Sequence, residues 1–156
     1  MLSGTRIRLC TEQDLPRVAA LFARWEAEGS VHGLRAETPE QLRPRMGGFF
    51  LVAEAGAEIV GFVIAQAKAE PACVLPAGRP HLEIQDLYVV SAHRRLGIGG
   101  RLLGAVMDAA AKAGLSGFTL YSASRDWQAA FRFYERFGFR MWAFQMYKDG
   151  LCDSAT

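Results

Sequence analysis

The residues best placed to do chemistry lie in one run, HLEIQDLYVVSAHRRLGIGGRLL, residues 81–103. Gly97, Gly99 and Gly100 stand between a β-branched, aromatic stretch and the residues Leu102, Leu103, Val106, Met107 and Ala110. Leu82 to Val90 reads as a strand, and the later apolar spacing marks one face of a helix. A glycine-rich turn at that junction presents backbone N–H groups that no helical carbonyl satisfies, and the helix dipole adds partial positive charge there. Such a turn binds phosphate. The strand before it carries Glu83, Gln85 and Asp86. Simple alternation sets Glu83 and Gln85 on one face and Asp86 on the other, with Ile84 and Tyr88. An acid on an apolar side is costly unless it is paired or used.

The loop is neither of the two commonest phosphate binders. Walker A needs Lys and Ser or Thr after its last glycine, whereas Gly100 is followed by Arg101 and Leu102. The dinucleotide fingerprint needs a third glycine where this chain has Leu102. What remains is Arg94-x-x-Gly97-x-Gly99. Downstream, Trp127 to Phe139 reads WQAAFRFYERFGF, a short aromatic helix stopped at Gly138 and followed by another strand. Strand, RxxGxG loop, helix, strand and an AxxFYExxGF helix, in that order, resemble the GNAT family of N-acetyltransferases.

The resemblance implies an α/β (α+β) fold: a mixed central sheet of about six to seven strands, flanked by about four helices and splayed at its two central strands. It implies acetyl-CoA as co-substrate, its diphosphate held on the loop of Arg94, Arg95, Leu96, Gly97, Ile98, Gly99 and Gly100. Leu87, Tyr88 and Val89 would offer a strand edge to the amides of the pantetheine arm. Trp127 and Ala130 would complete the cofactor site from the last helix, Trp127 standing where many members have an asparagine. Tyr134 falls at the tyrosine assigned as general acid. An amine acceptor must lose a proton before it attacks a thioester, and a carboxylate with a raised pKa is the usual base. Glu83 and Asp86 both remain open for that role, because members usually carry a bulge at this level and parity cannot be trusted across Gln85 and Asp86. Trp25, Glu26 and Glu28, near the end of the first helix, would face the acceptor. That acceptor is a small-molecule or peptidyl amine, and the run as a whole looks nearest to polyamine, diamine or aminoglycoside-type enzymes. A protein acetyltransferase and a CoA-binding sensor without transfer activity are the alternatives.

The surrounding elements must hold these groups in place. Arg6 to Cys10 reads as an opening strand, and Thr11 with Asp14 resembles a capping box. Leu15, Val18, Ala19, Phe22 and Trp25 then recur at helical spacing up to Gly29. Thr38-Pro39-Glu40-Gln41 is a second helix start. Phe49 to Ala55 and Ile59 to Ala67 read as a hairpin, and Lys68 to Pro80, with three prolines, as an irregular loop that could rim the acceptor site. Gly117 to Ser122 gives a further strand, and Phe139 to Lys148 alternates as paired strands before a tail from Asp149.

One domain over residues 1–156 is expected from the length. The 18 Lys and Arg against 16 Asp and Glu leave +2, too small an excess to imply nucleic acid. Cys10, Cys73 and Cys152 form no CxxC, so no metal site is expected. No run is apolar and long enough to span a bilayer, which sets membranes aside and leaves a cytoplasmic protein as the expectation. A homodimer is the assembly kept in view.

Overall fold

The computed structural model describes residues 4–150. In chain order it holds β1 (Thr5–Leu9), α1 (Leu15–Glu28), α2 (Pro39–Leu42), β2 (Phe50–Ala55), β3 (Glu58–Lys68), β4 (His81–Val89), α3 (Ile98–Lys112), β5 (Gly117–Leu120) and α4 (Trp127–Glu135). The strands form one sheet in the order β1-β2-β3-β4-β5, antiparallel except for the parallel β4–β5 pair.

Helices cover both faces, and neighbouring residues of β3 show which helix lies where. The Phe62 ring packs 4.7 Å from Phe22 of α1. The adjacent Gly61 turns the other way, where an added Cβ would fall 2.7 Å from the Tyr88 carbonyl oxygen and 3.4 Å from Leu102 of α3. Successive strand side chains point to opposite faces, so α1 and α3 sandwich the sheet. Ile59 through Ala65 is accordingly buried throughout, a near-continuous apolar strand rather than an alternating one.

The start of α1 is fastened to the sheet by ions. Arg8 of β1 donates to both oxygens of Asp14, at 2.6 and 2.9 Å, and to both oxygens of Glu54 on β2, at 3.2 and 3.1 Å. Asp14 also accepts from the Thr11 N–H and hydroxyl, each at 2.8 Å. These bonds, led by Arg8, hold the Asp14 carboxyl well below the usual carboxylate range. At the other end of α1, Gly29 takes the left-handed conformation (φ 63°) that closes a helix. The second helix start also forms as the sequence implies: Thr38 N–H donates to the Gln41 amide oxygen at 2.8 Å, and Pro39 opens α2.

The sheet has five strands among the described residues, not six to seven. The missing pairing is Phe139 to Lys148, which joins no strand. Its apolar residues fall on both sides of the alternation, and Met141, Trp142, Phe144, Met146 and Tyr147 all remain more than half exposed. Without a one-sided pattern nothing pins a strand to one pairing. The aromatic helix is also shorter than expected, ending at Glu135 rather than running on to Gly138. Cys152 and most of the tail lie outside the described residues.

Candidate active site

Pairing along β4 changes phase at its middle. Asp86 lies opposite Ile64, but Ile84 lies opposite Ala65, so Gln85 is an extra residue in a bulge. Asp86 and Tyr88 therefore share the α1 side with Ile64 and Phe62, and Glu83, opposite Gln66, shares it too. Alternation alone had put Asp86 beside Ile84. The bulge instead gathers Glu83, Gln85 and Asp86 on one face, where the Gln85 amide bonds Glu83 at 3.2 Å and lies with Asp86 against Arg45.

The bulge is also where the sheet opens. β5 pairs β4 from His81 to Ile84 and no further, while β4 continues against β3 to Val89. Among the described residues, the edge of residues 85–89 that faces away from β3 has no strand beside it. This is the stretch, Leu87 to Val89, that the resemblance offers to an amide-bearing arm, and on it the Val89 carbonyl already accepts from Arg94.

Beyond Val89 the chain passes through a short turn and enters the glycine loop. Arg95 (φ 61°) and Gly97 (φ 78°) both take the left-handed conformation, and Arg95 is the one non-glycine residue to do so among those described. Gly97 caps α3, whose first backward hydrogen bond runs from Arg101 N–H to Gly97 O at 3.0 Å. The N–H groups of Ile98, Gly99 and Gly100 precede that bond and are free to meet an anion at the helix N-terminus. A side chain at Gly97 would meet nothing within 4 Å, so the cradle is open. Ile98 is buried and can contribute only backbone, while Arg95 and Leu96 project outward. The fit to the diphosphate of acetyl-CoA rests on this cradle and on the free β4 edge beside it.

Arg94 is already engaged. Its Nε donates to Val89 O at 2.8 Å, its Nη2 meets Glu28, and its guanidinium lies 5.5 Å from the centre of the Tyr88 ring. Tyr88 donates its hydroxyl to the same Glu28 carboxylate at 2.7 Å. Burial and that bond to Glu28 push the Tyr88 hydroxyl up to about 12. Glu28, drawn from the acceptor-facing set, thus ties the end of α1 to the glycine loop. The Glu26 carboxylate accepts from Ala36 N–H at 3.0 Å and from Arg35, and Glu26 lines neither of the two cavities at the bulge.

Two cavities meet at the bulge. One, of about 400 Å³, runs from Arg94 and Gly99 along Leu87, Tyr88 and Val89 to Ala130 and Tyr134, with Trp25 on its wall. Trp25 stacks on Tyr88 with ring centres 5.1 Å apart. The other, of about 440 Å³, is lined by Glu37, Arg45, Glu83 and Tyr121. Ile84, Gln85, Asp86 and Tyr121 border both. Across the first cavity the segment after α1 is bonded to the segment before α4, with Val31 and Ser124 in a β-bridge and His32 N–H donating to Ala123 O at 2.9 Å. No residue of 69–80 lines either cavity, so the proline-rich loop is not their rim.

Electrostatics distinguish the two acids. Burial raises the Asp86 carboxyl above the usual range, although Arg45 pulls it back in part. Glu83 is the more exposed, with Lys68 at 3.8 Å. Tyr134 packs edge-on against Phe133 and Phe139, and burial, reinforced by the Asp86 charge, holds its hydroxyl proton up to about 12. Trp127 is more than half exposed and lines neither cavity; the cap of α4 is Asp126, which accepts from Ala129 N–H at 3.0 Å. Among the described residues no cluster of His, Cys, Asp and Glu could hold a metal, and no helix is long and apolar enough to cross a membrane. Sequence reasoning missed Glu37, Arg45 and Tyr121. Arg45 sits in an Arg-Pro-Arg turn without periodicity, 41 residues from Asp86.

An anion cradle at a helix N-terminus, beside a parallel strand pair that opens at a bulge, is the arrangement that the resemblance to the GNAT fold implies. Residues 10–139 match the Acetyltransferase (GNAT) family, and the chain belongs to it. A curated relative, N-acetyltransferase family 8 member 2 of Rattus norvegicus, is 34% identical over 93 residues, which is 60% of this chain and 39% of that protein. The match thus spans well under half the relative's length. Among solved structures, the aminoglycoside N-acetyltransferase AAC(6')-Iy in complex with CoA superposes with a TM-score of 0.73 at 16% identity, over 95% of each chain. Arabidopsis thaliana Naa50, in complex with a bisubstrate analogue, CoA-Ac-MVNAL, gives 0.69 at 20% identity over 90% of this chain and 85% of its own. These two likenesses are of fold.

Proposed function

We propose that the protein transfers the acetyl group of acetyl-CoA to a primary amine by direct attack within a ternary complex. The observation that carries this reading is the position of Asp86, which borders both the cavity reaching the glycine loop and the acidic cavity beside it. Acetyl-CoA supplies the thioester when bound. The N–H groups of residues 98–100 hold its diphosphate, and the β4 edge at Leu87 to Val89 pairs with its amides.

An acceptor amine in the acidic cavity arrives protonated, since a Lys-like amine has a pKa of about 10.4. Asp86 takes that proton. Its Oδ2 faces Arg45, and among the described residues its Oδ1 accepts no hydrogen bond, which leaves that oxygen for the amine or a water. Burial favours the protonated carboxyl and so makes Asp86 a stronger base than a solvated aspartate. Tyr134 stays protonated across neutral pH and donates to the departing thiolate. Cys10 offers no covalent route, because burial pushes its thiol up to about 12 and leaves little thiolate.

The test is a panel of amines with detection of released thiol, run on the native protein and on Asp86→Asn. Thiol release should depend on amine, and kcat/KM should fall roughly 10²-fold or more in Asp86→Asn with acetyl-CoA affinity intact. In the native protein kcat/KM should climb with pH through the raised Asp86 pKa, because only the ionised carboxylate accepts a proton. Full activity in Asp86→Asn would move the base to Glu83. Binding of acetyl-CoA without thiol release for any amine would leave a sensor.

A further inference from the structure

Arg45 comes from the turn after α2, and most of its side chain is buried against the bulge of β4. Nη1 donates to Glu37 at 2.6 Å, while Nη2 donates to Gln85 at 3.1 Å and to Asp86. Glu37, Asp86 and Arg45 itself all face the cavity of about 440 Å³. Burial disfavours the guanidinium charge, but Asp86 and Glu37 more than offset it, so the cation is permanent there.

Its presence sets the charge of the cavity. Glu37, Glu83 and Asp86 bring three negative charges; Arg45 cancels one, and Lys68, at 3.8 Å from Glu83, cancels another. One net negative charge is left. We infer that Arg45 is a specificity-determining residue: a built-in cation that occupies the place of an acceptor's second positive charge and so selects amines with a single charge over diamines. The inference rests on the acidic cavity being the acceptor site of the proposed reaction. It also departs from the likeness to polyamine and diamine enzymes seen in the sequence. A second ammonium entering the cavity would meet the guanidinium as a like charge in partly desolvated surroundings, where Coulomb energies exceed those in water several-fold.

The probes are n-butylamine and 1,4-diaminobutane, equal in carbon length and different in charge. The measured quantity is the ratio of kcat/KM for the diamine to that for the monoamine. Arg45→Gln keeps a hydrogen-bonding side chain and removes the charge; the ratio should rise roughly tenfold or more, and the rise should shrink in high salt. Arg45→Lys keeps the charge and should hold the native ratio within about threefold. Glu37→Gln tests the same idea from the opposite sign and should lower the ratio, which covers the case in which Arg45→Gln does not fold. A merely structural Arg45 would depress both amines alike, and an unchanged ratio in Arg45→Gln and Glu37→Gln would overturn the inference. So would a failure of every variant to acetylate the diamine while acetyl-CoA still binds by calorimetry. If the native protein bound no acetyl-CoA at all, the proposed transferase reading would fall with it.

Discussion

Tyr134 is the only tyrosine on α4, and its hydroxyl proton is held up to about 12 by burial and by the Asp86 charge. A general acid must be protonated to act, so the group is ready at every pH up to about that value. Tyr134→Phe should therefore lower kcat by roughly 10²–10⁴-fold with acetyl-CoA affinity nearly unchanged, since the ring that packs on Phe133 and Phe139 is kept. The native pH profile should show no alkaline fall below pH about 10 attributable to this residue. An equal loss in affinity would make Tyr134 a packing residue. The place of Tyr134 on an aromatic helix was legible because its neighbours in sequence carry a local pattern. Asp86 was legible as an acid but not as to its side, since an extra residue in a strand leaves no mark in composition. Arg45 was not legible at all: its partners are brought to it by the fold alone.

The loop before α3 is the element on which acetyl-CoA binding should depend, and its glycines are not equivalent. Gly97, at φ 78°, would be strained by any side chain, so a variant there confuses folding with binding. Gly99 is helical, and a Cβ there meets Phe133 at an ordinary 3.6 Å. Gly99→Val should fold and yet bind acetyl-CoA at least tenfold more weakly in calorimetry, because the added methyls crowd the amides at the helix start. Unchanged affinity in the folded variant would remove the loop from the cofactor site. The start of α1 invites a separate test. The Asp14 carboxyl ionises more easily folded than unfolded, where its pKa is about 3.9. Its stabilisation is therefore complete above about pH 4 and is lost as pH falls toward the depressed folded value. Asp14→Asn should cost about 3 kcal/mol in urea unfolding at pH 7, the low end for breaking a buried pair since Arg8 keeps Glu54. The gap between variant and native protein should narrow below pH 4; a gap constant with pH would place the effect elsewhere.

At the scale of the molecule, the covered sheet followed from β2 and β3, whose apolar runs admit no solvent on either side, and from two helix starts marked by Thr11 with Asp14 and Thr38 with Gln41. Phe139 to Lys148 was over-read because strand propensity without a polar face says nothing about what it pairs with. The bulge at Gln85 has a further meaning when residues are simply counted along β4. Upstream, even numbers such as Leu82 and Ile84 face the α3 layer; downstream, even numbers such as Asp86 and Tyr88 face the α1 layer. Odd and even exchange roles at one inserted peptide unit. Were Gln85 drawn into the regular ladder instead of bulging, every later side chain would keep its identity and reverse its audience: an acid now bordering two cavities would be handed to the opposite layer.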